Sequence, residues 1–263
     1  MKIITCIKQV PASTKVDVDP KTGVLIRDSR NVKMNPYDLY ALEASFKIKE
    51  KVNNCIIEAI TMGPPSAKKV LEEALYMGSD EAMLLSDRAF AGADVLATAY
   101  SLSQLIRNIG DYELIICGKQ TTDGDTAQVG PEIAEFLGIS HIPYVSRIIE
   151  VKEKYIVVRS DLEHHSEIIK INLPCLLTIS EGDLVPRLPS YNRKIEFKDY
   201  KIKSLSLKDL QDQDKKHYGL EGSPTQVQEI FPPNKSRESV RVTGNNKVVS
   251  LELFKILKEK KFI

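Results

Sequence analysis

The stretch Cys117–Gly138, CGKQTTDGDTAQVGPEIAEFLG, carries the residues best suited to chemistry. An apolar run enters it. A polar loop with Lys119, Asp123, Gly124 and Asp125 follows, and a helical pattern leaves it. Strand, glycine-bearing loop and helix form a phosphate-binding turn, yet this loop has two aspartates and one lysine. Backbone N–H groups at a helix start, aided by the helix dipole, hold an anion without any cationic side chain. Asp123, Asp125 or Thr126 is then available to cap turns, and a carboxylate to accept from ribose hydroxyls. Gly124 permits a closer backbone approach to a pyrophosphate than a larger residue would.

Other chemistries fail on spacing. An EF-hand starting at Asp123 would put Ala127 and Ala134 at ligand positions. The loop matches neither GxxxxGK[ST] nor GxGxxG. Cys6, Cys55, Cys117 and Cys175 lie far apart with no CxxC, so they read as reduced, buried hydrophobes, not zinc ligands. His164 and His165 are neighbours, and adjacent strand residues face opposite ways, so no metal site is expected.

The elements around the loop fit an α/β class. Residues 2–7, 56–62, 81–85 and 112–117 read as strands. Helices are expected over 36–51, 66–77, 93–109 and 129–137, with Asn35 as a cap, Pro36 in the first turn, and glycines at 78, 110 and 138 ending three of them. Apolar strands alternating with helices predict a parallel sheet with helices on both faces. In such sheets ligands bind at the carboxyl ends of strands, which points to loops 6–11, 62–65 and 118–130. Residues 8–35 read as a loop with a turn at 19–23. The short runs 142–150, 155–161, 167–172 and 175–180 predict antiparallel strands extending the sheet. The stretch 181–203 is loop-like. Residues 204–246 are polar and cannot easily bury a core, and 248–260 could form an amphipathic helix. A nucleotide-binding domain over 1–203 and an extended C-terminal arm over 204–263 are therefore expected.

Composition narrows the function. The 263 residues carry 37 Lys+Arg against 36 Asp+Glu, a net charge of +1, so there is no general sign of nucleic-acid binding. No run approaches about 18 apolar residues, so no membrane span is expected. The start MKIITCIKQV has neither a long apolar core nor a small-residue cleavage site, and the chain reads as cytoplasmic.

GKQTTDGDTAQVGPEIAEFLG resembles the nucleotide-binding loop of the electron-transfer flavoprotein beta subunit. So do CIKQVP at 6–11, MNPYDLYALEAS at 34–45, MGPPSAKKVLEEALYMGSD at 62–80 and LPCLLTISEGDLVPRLPS at 173–190. The resemblance runs in order through most of residues 1–195. It implies nucleotide contacts at Cys6, at Asn35, Pro36, Tyr37 and Asp38, at Met62, and along Gly118, Lys119, Gln120, Thr121, Thr122, Asp123, Gly124, Asp125, Thr126, Ala127, Gln128 and Val129. Tyr37 would approach the flavin of an alpha subunit, which the C-terminal arm would wrap. Leu188 would dock partner dehydrogenases. The chain departs from the family signature before Pro174, with Ser160, His164 and His165 where a basic residue and a glycine-like turn are expected.

The DGDTAQVGP loop is similar to electron-bifurcating and nitrogen-fixation-associated members. That implies FAD and NAD(H) on this subunit. NADH would be oxidised, with electrons divided between ferredoxin or flavodoxin and, through the alpha-subunit FAD, a flavin dehydrogenase acting on acyl-CoA, enoyl-CoA or lactate. No catalytic acid or base is then needed. The alternative is a carrier subunit holding AMP as a structural nucleotide and docking acyl-CoA dehydrogenases. An unrelated nucleotide-binding domain is a third class.

Overall fold

Branched and apolar residues dominate the strands, and where both faces are covered they form unbroken apolar runs. The computed structural model describes residues 1–12, 31–228, 239 and 241–263. Its first compact unit, Met1–Gln228, is built on a sheet of nine strands. The strands are β1 (Lys2–Cys6), β4 (Ile56–Met62), β5 (Glu81–Leu85), β6 (Leu114–Gly118), β7 (Ser140–Val151), β8 (Tyr155–Asp161), β9 (Ser166–Asn172), β10 (Cys175–Ile179) and β11 (Lys203–Leu205). Their order is β11-β5-β4-β1-β6-β10-β7-β8-β9. The run from β11 to β7 is parallel, and β8 and β9 add antiparallel strands. A separate antiparallel pair, β2 (Gln9–Pro11) and β3 (Val32–Met34), follows β1. The turn expected at 19–23 lies outside the described residues.

Strand alternation sends neighbours to opposite faces. Ile3, Ile57, Ile116 and Leu177 pack with α1 (Pro36–Lys49) and α2 (Lys68–Met77) on one face. Ile4, Ile60, Ile115 and Leu176 pack with α3 (Val95–Ile109) and α4 (Val129–Leu137) on the other. Helix ends follow local chemistry. The Asp94 side chain accepts from Ala97 N–H at 3.0 Å and caps α3. Gly138, at φ 68°, ends α4 in the left-handed region.

Three expectations are corrected. The run at 175–180 is not part of a hairpin: β10 inserts parallel between β6 and β7. All five of its residues are buried, whereas β8 alternates buried and half-buried, so the unbroken run signalled two covered faces. The region 181–203 is not all loop, because α5 (Tyr191–Glu196) lies within it. The compact unit also does not stop at 203. β11 pairs with β5, and Leu205, Leu207, Leu210 and Tyr218 are buried in the α3/α4 face. Tyr218 makes tilted and edge contacts with Tyr100 and Phe90, with ring centroids 5.4 and 5.5 Å away. Four apolar anchors in a polar stretch suffice because they fill gaps in an existing core. The second unit, Glu229–Ile263, contains α6 (Asn246–Glu259), with Val248, Leu251, Leu253 and Phe254 exposed. Among the described residues, no helix is long and apolar enough to cross a membrane.

Burying a large apolar side chain contributes about 1.5–3 kcal/mol, less where the unfolded chain is compact. A chain ended at residue 203 should therefore be less stable than one ended at 228, by on the order of 5 kcal/mol in urea unfolding. Equal midpoints and slopes would show that the segment beyond 203 is not part of the core.

Candidate functional site

Strand order reverses beside β1: β4 and β5 lie to one side, β6 and β10 to the other. The crevice between the carboxyl ends of β1 and β6 is thus the switch point of the sheet, where ligands bind in open α/β folds. The loops after β1 and β6 and the start of α1 meet there.

They are joined by a buried polar knot. Asn35 is fully buried and Asp38 is 4% exposed. Asn35 Nδ2 donates to Asp38 Oδ1 and to the Gln120 carbonyl, both at 2.9 Å, while Asn35 Oδ1 accepts from Thr122 N–H at 3.2 Å. The Lys8 N–H donates to Asp38 Oδ2 at 2.7 Å, and Asn35 N–H donates to the Lys8 carbonyl at 2.9 Å. The β4 loop is tied in by Gln9, whose Nε2 donates to the Ser66 carbonyl at 3.1 Å. Asn35 is the N-cap of α1 as expected, but its side chain makes no capping bond; it cross-links loops instead.

Glycine is required at two places. A Cβ at Gly118 would lie 2.4 Å from Asp38 Oδ1 and 2.8 Å from the Tyr37 carbonyl carbon. A Cβ at Gly130 would lie 2.6 Å from the Thr178 methyl. Gly124 is different: its Cβ would meet only Thr121 Oγ1, at 3.4 Å, so the chain's own packing does not demand it. The left-handed turns fall on Asp125 (φ 54°) and Ala127 (φ 55°), positions where a side chain is strained.

One of the loop's two carboxylates is paired with a cation. Lys8 Nζ reaches both carboxylate oxygens of Asp123 at 2.8 Å. Burial is the largest single influence and pulls Asp123 upward, but Lys8, Thr121 and a backbone N–H together hold the carboxyl below its usual range. Asp125 Oδ1 accepts from Gln120 Nε2 at 2.7 Å, and Asp125 N–H closes a turn on the Thr121 carbonyl at 2.9 Å. Neither aspartate caps α4. That helix starts at Val129, and its N-cap residue Gln128 makes no side-chain capping bond, so its first amides keep their capacity for an acceptor. Lys119 Nζ sits 4.7 Å over the Tyr37 ring, a cation–π contact at the mouth of the crevice.

The remaining expected residues divide. Thr122–Thr126 and Gln128 are exposed, while Ala127 and Val129 are half-buried at the start of α4. Met62 ends β4, one strand from the crevice. Cys6 and Cys117 lie in register on β1 and β6, both buried, and Cys6 together with burial pushes the Cys117 thiol well up. Leu188 is remote from this group, on the loop after β10, and 87% exposed. His164 and His165 lie in the turn between β8 and β9, not on a strand, and His165 pairs with Glu167 at 3.0 Å. Sequence reasoning missed Lys8 as the partner of Asp123 and Asp38. Its loop was marked, but a lysine's partner 115 positions away has no local signal.

Comparison with known proteins now bears on this geometry. A family model described as the electron transfer flavoprotein domain matches residues 22–205. An electron transfer flavoprotein subunit beta of Thermoanaerobacterium thermosaccharolyticum is 44% identical over 254 residues, covering 94% of each chain. The chain belongs to the electron-transfer flavoprotein beta-subunit family. A caffeyl-CoA reductase-Etf complex subunit, CarD, of Acetobacterium woodii is 39% identical over 264 residues, covering all of both chains. Protein FixA of Bradyrhizobium diazoefficiens is 41% identical over 239 residues, covering 89% of this chain and 83% of that one. As an electron-transfer flavoprotein beta subunit, this chain has its switch-point crevice on an α/β frame with the polar knot as floor.

The knot has a pH signature. Burial, against the bonds from Asn35 and Lys8, raises the Asp38 carboxyl from its ordinary 3.8 to about 7. The folded value lies above the unfolded one, so this carboxyl's contribution to stability is full below pH 3.8 and is lost as pH rises to about 7. Asp38→Asn removes that dependence. Relative to the native chain, its stability should improve by about 4 kcal/mol across this window, read from urea unfolding at a series of pH values. A difference that stays flat would mean that Asp38 is ionised throughout.

Proposed function

We propose that this chain is the beta subunit of a heterodimeric electron-transfer flavoprotein of the bifurcating type. It binds FAD and NAD(H) at the β1–β6 crevice and takes part in NADH oxidation. Electrons pass to ferredoxin or flavodoxin and, through the FAD of an alpha subunit, to a flavin dehydrogenase. One observation carries the nucleotide site: an uncapped α4 start at the switch point, beside loop carboxylates held by Lys8 and Gln120; the likeness to CarD and FixA supports the bifurcating type. Successive residues of opposite handedness turn backbone N–H groups toward an anion. Left-handed Ala127 is followed by helical Gln128, which supports a phosphate there.

FAD supplies the redox chemistry when bound, and the protein supplies binding and orientation. On this reading Ala127 to Val129 present amides to phosphate, and Thr121 to Thr126 line its approach. Asn35 and Asp38 hold the floor, and Tyr37 with Lys119 borders the side facing the alpha subunit. The unit Glu229–Ile263, with exposed apolar side chains on α6, serves as the arm on that subunit. The end-to-end match to a protein named as part of a caffeyl-CoA reductase-Etf complex supports a dehydrogenase with a CoA-linked substrate. The cytoplasm is the proposed compartment.

Anaerobic co-purification with the alpha subunit, followed by release of nucleotides, should yield two FAD per heterodimer. One FAD with AMP would sink the bifurcating reading and leave the carrier alternative. Gly118→Ala forces a side-chain atom against Asp38 and Tyr37. It should release the beta-subunit nucleotide, measured the same way, while the alpha-subunit FAD remains. Leu188→Ala should impair electron delivery to the dehydrogenase and leave NADH-driven flavin reduction intact. A fall in flavin content instead would show that the docking role is wrong.

A further inference from the structure

β7 breaks its regular pairing at the carboxyl end of the sheet. Leu177 and Ile179 of β10 stand opposite Ile142 and Val145, so Thr178 alone faces two residues, Pro143 and Tyr144. Such a bulge bends a strand and re-aims what it carries. Tyr144 takes φ 54° there, a region where a bulky side chain is strained. Three hydroxyls hold the strained backbone. Tyr144 N–H donates to Thr178 Oγ1 at 3.1 Å, Ser160 Oγ donates to the Pro143 carbonyl at 2.8 Å, and Ser180 Oγ reaches the Tyr144 carbonyl at 3.4 Å. Ser180 N–H then donates to the Val145 carbonyl at 2.9 Å.

The same contacts fix Thr178, which is 2% exposed. A β-branched side chain is stiff about its first torsion, so holding one branch sets the other. The hydroxyl is held by the bulge, and the methyl meets α4. It lies 2.6 Å from where a Gly130 Cβ would stand, with Leu176 Cδ2 at 3.4 Å and Cys117 Cβ at 3.7 Å around the same point. Gly130 is buried in the first turn of α4, directly after Ala127, Gln128 and Val129. Thr178 is therefore a spacer, with β7 on its hydroxyl and the helix start on its methyl.

We propose that Thr178 is a positioning residue of the nucleotide site: held by the Tyr144 amide, it sets the seat of the α4 start and so aims the amides there at phosphate. The inference rests on the function proposed above. It adds that the site's geometric demand is for phosphate itself, which AMP, ADP and FAD share and adenosine lacks. Hydrogen bonds weaken steeply once length and angle depart from their normal range. A small shift of the helix start therefore falls on the phosphate and not on the nucleoside.

The test uses the complete heterodimer, freed of its beta-subunit nucleotide. AMP, ADP and adenosine are titrated as competitors of FAD rebinding. The tighter of AMP and ADP is compared with adenosine, and the ratio of the two affinities is the readout, because general loss of structure lowers both together. Gly130→Ala drives a side-chain atom into the Thr178 methyl. It should lower the ratio about tenfold, the worth of one hydrogen bond to a charged group. Thr178→Ser keeps the hydroxyl and deletes the methyl. Added to Gly130→Ala, it should return the ratio to within about threefold of native, because the new side-chain atom takes the vacated space and the two sites are coupled. Thr178→Val keeps the shape but leaves the Tyr144 amide without its acceptor, and should lower the ratio about fivefold. Amide exchange over 127–132 should rise in Gly130→Ala and Thr178→Val and fall back in the double variant. Absence of rescue overturns the positioning role, and so does a parallel loss of phosphate-bearing ligand and adenosine. If Gly130→Ala does not assemble, Thr178→Val decides, and an unchanged ratio sinks the proposal. If the native heterodimer rebinds none of FAD, AMP and ADP, the proposed function has failed and this inference falls with it. Native binding with unaltered variants leaves that function standing and removes only the role of Thr178.

Discussion

The buried Asn35–Asp38 pair is the constraint on which the candidate site depends. An amide and a carboxyl in a dry floor must each find partners, or their burial costs several kcal/mol. Here the partners are backbone groups of Lys8, Gln120 and Thr122. Satisfying one helix start therefore fixes loops from two different strands. Gly118 completes the arrangement, because any side chain there would occupy the space of Asp38. The crevice is consequently set by hydrogen-bond satisfaction rather than by side chains that point into it.

Charge is distributed in the same economical way. A loop suited to an anion carries two aspartates: the Lys8 ammonium neutralises Asp123, and the neutral Gln120 amide hydrogen-bonds Asp125 without cancelling its charge. The helix start is left with its own positive potential. α1 then runs from this floor to Glu43, which takes the Arg187 guanidinium, so one helix touches both the candidate nucleotide site and the loop after β10. Its amphipathic pattern is weak because it packs widely. Even Glu43 and Ser45 are buried on it, each with a polar partner.

Much of the fold was legible in local pattern. Mostly apolar runs at 2–7, 56–62 and 112–117 marked strands of a parallel sheet, and helix boundaries followed Pro36, Gly78, Gly110 and Gly138. The errors came where neighbours far along the chain decide the outcome. CLLTI reads as one more short strand after three expected antiparallel ones, and only its insertion between β6 and β7 makes it parallel. The stretch after 203 reads as too polar for a core, yet Leu205, Leu207, Leu210 and Tyr218 pack onto a core built by other elements.

The sequence by itself determined the family, the strand–loop–helix unit at 114–137 and the position of its loop at a strand's carboxyl end. These are properties of contiguous residues, where periodicity and turn chemistry act over a few positions. Only the tertiary structure decided where the chain's own packing demands glycine: at Gly118 and Gly130, packed against Asp38 and Thr178. The reading of Gly124 concerns a bound ligand and is a separate matter. Likewise only the folded chain brings Lys8 to Asp123 and Arg187 to Glu43, pairs separated by 115 and 144 positions. Such pairings depend on how the sheet stacks its strands, and composition or spacing along the chain carries no record of that order.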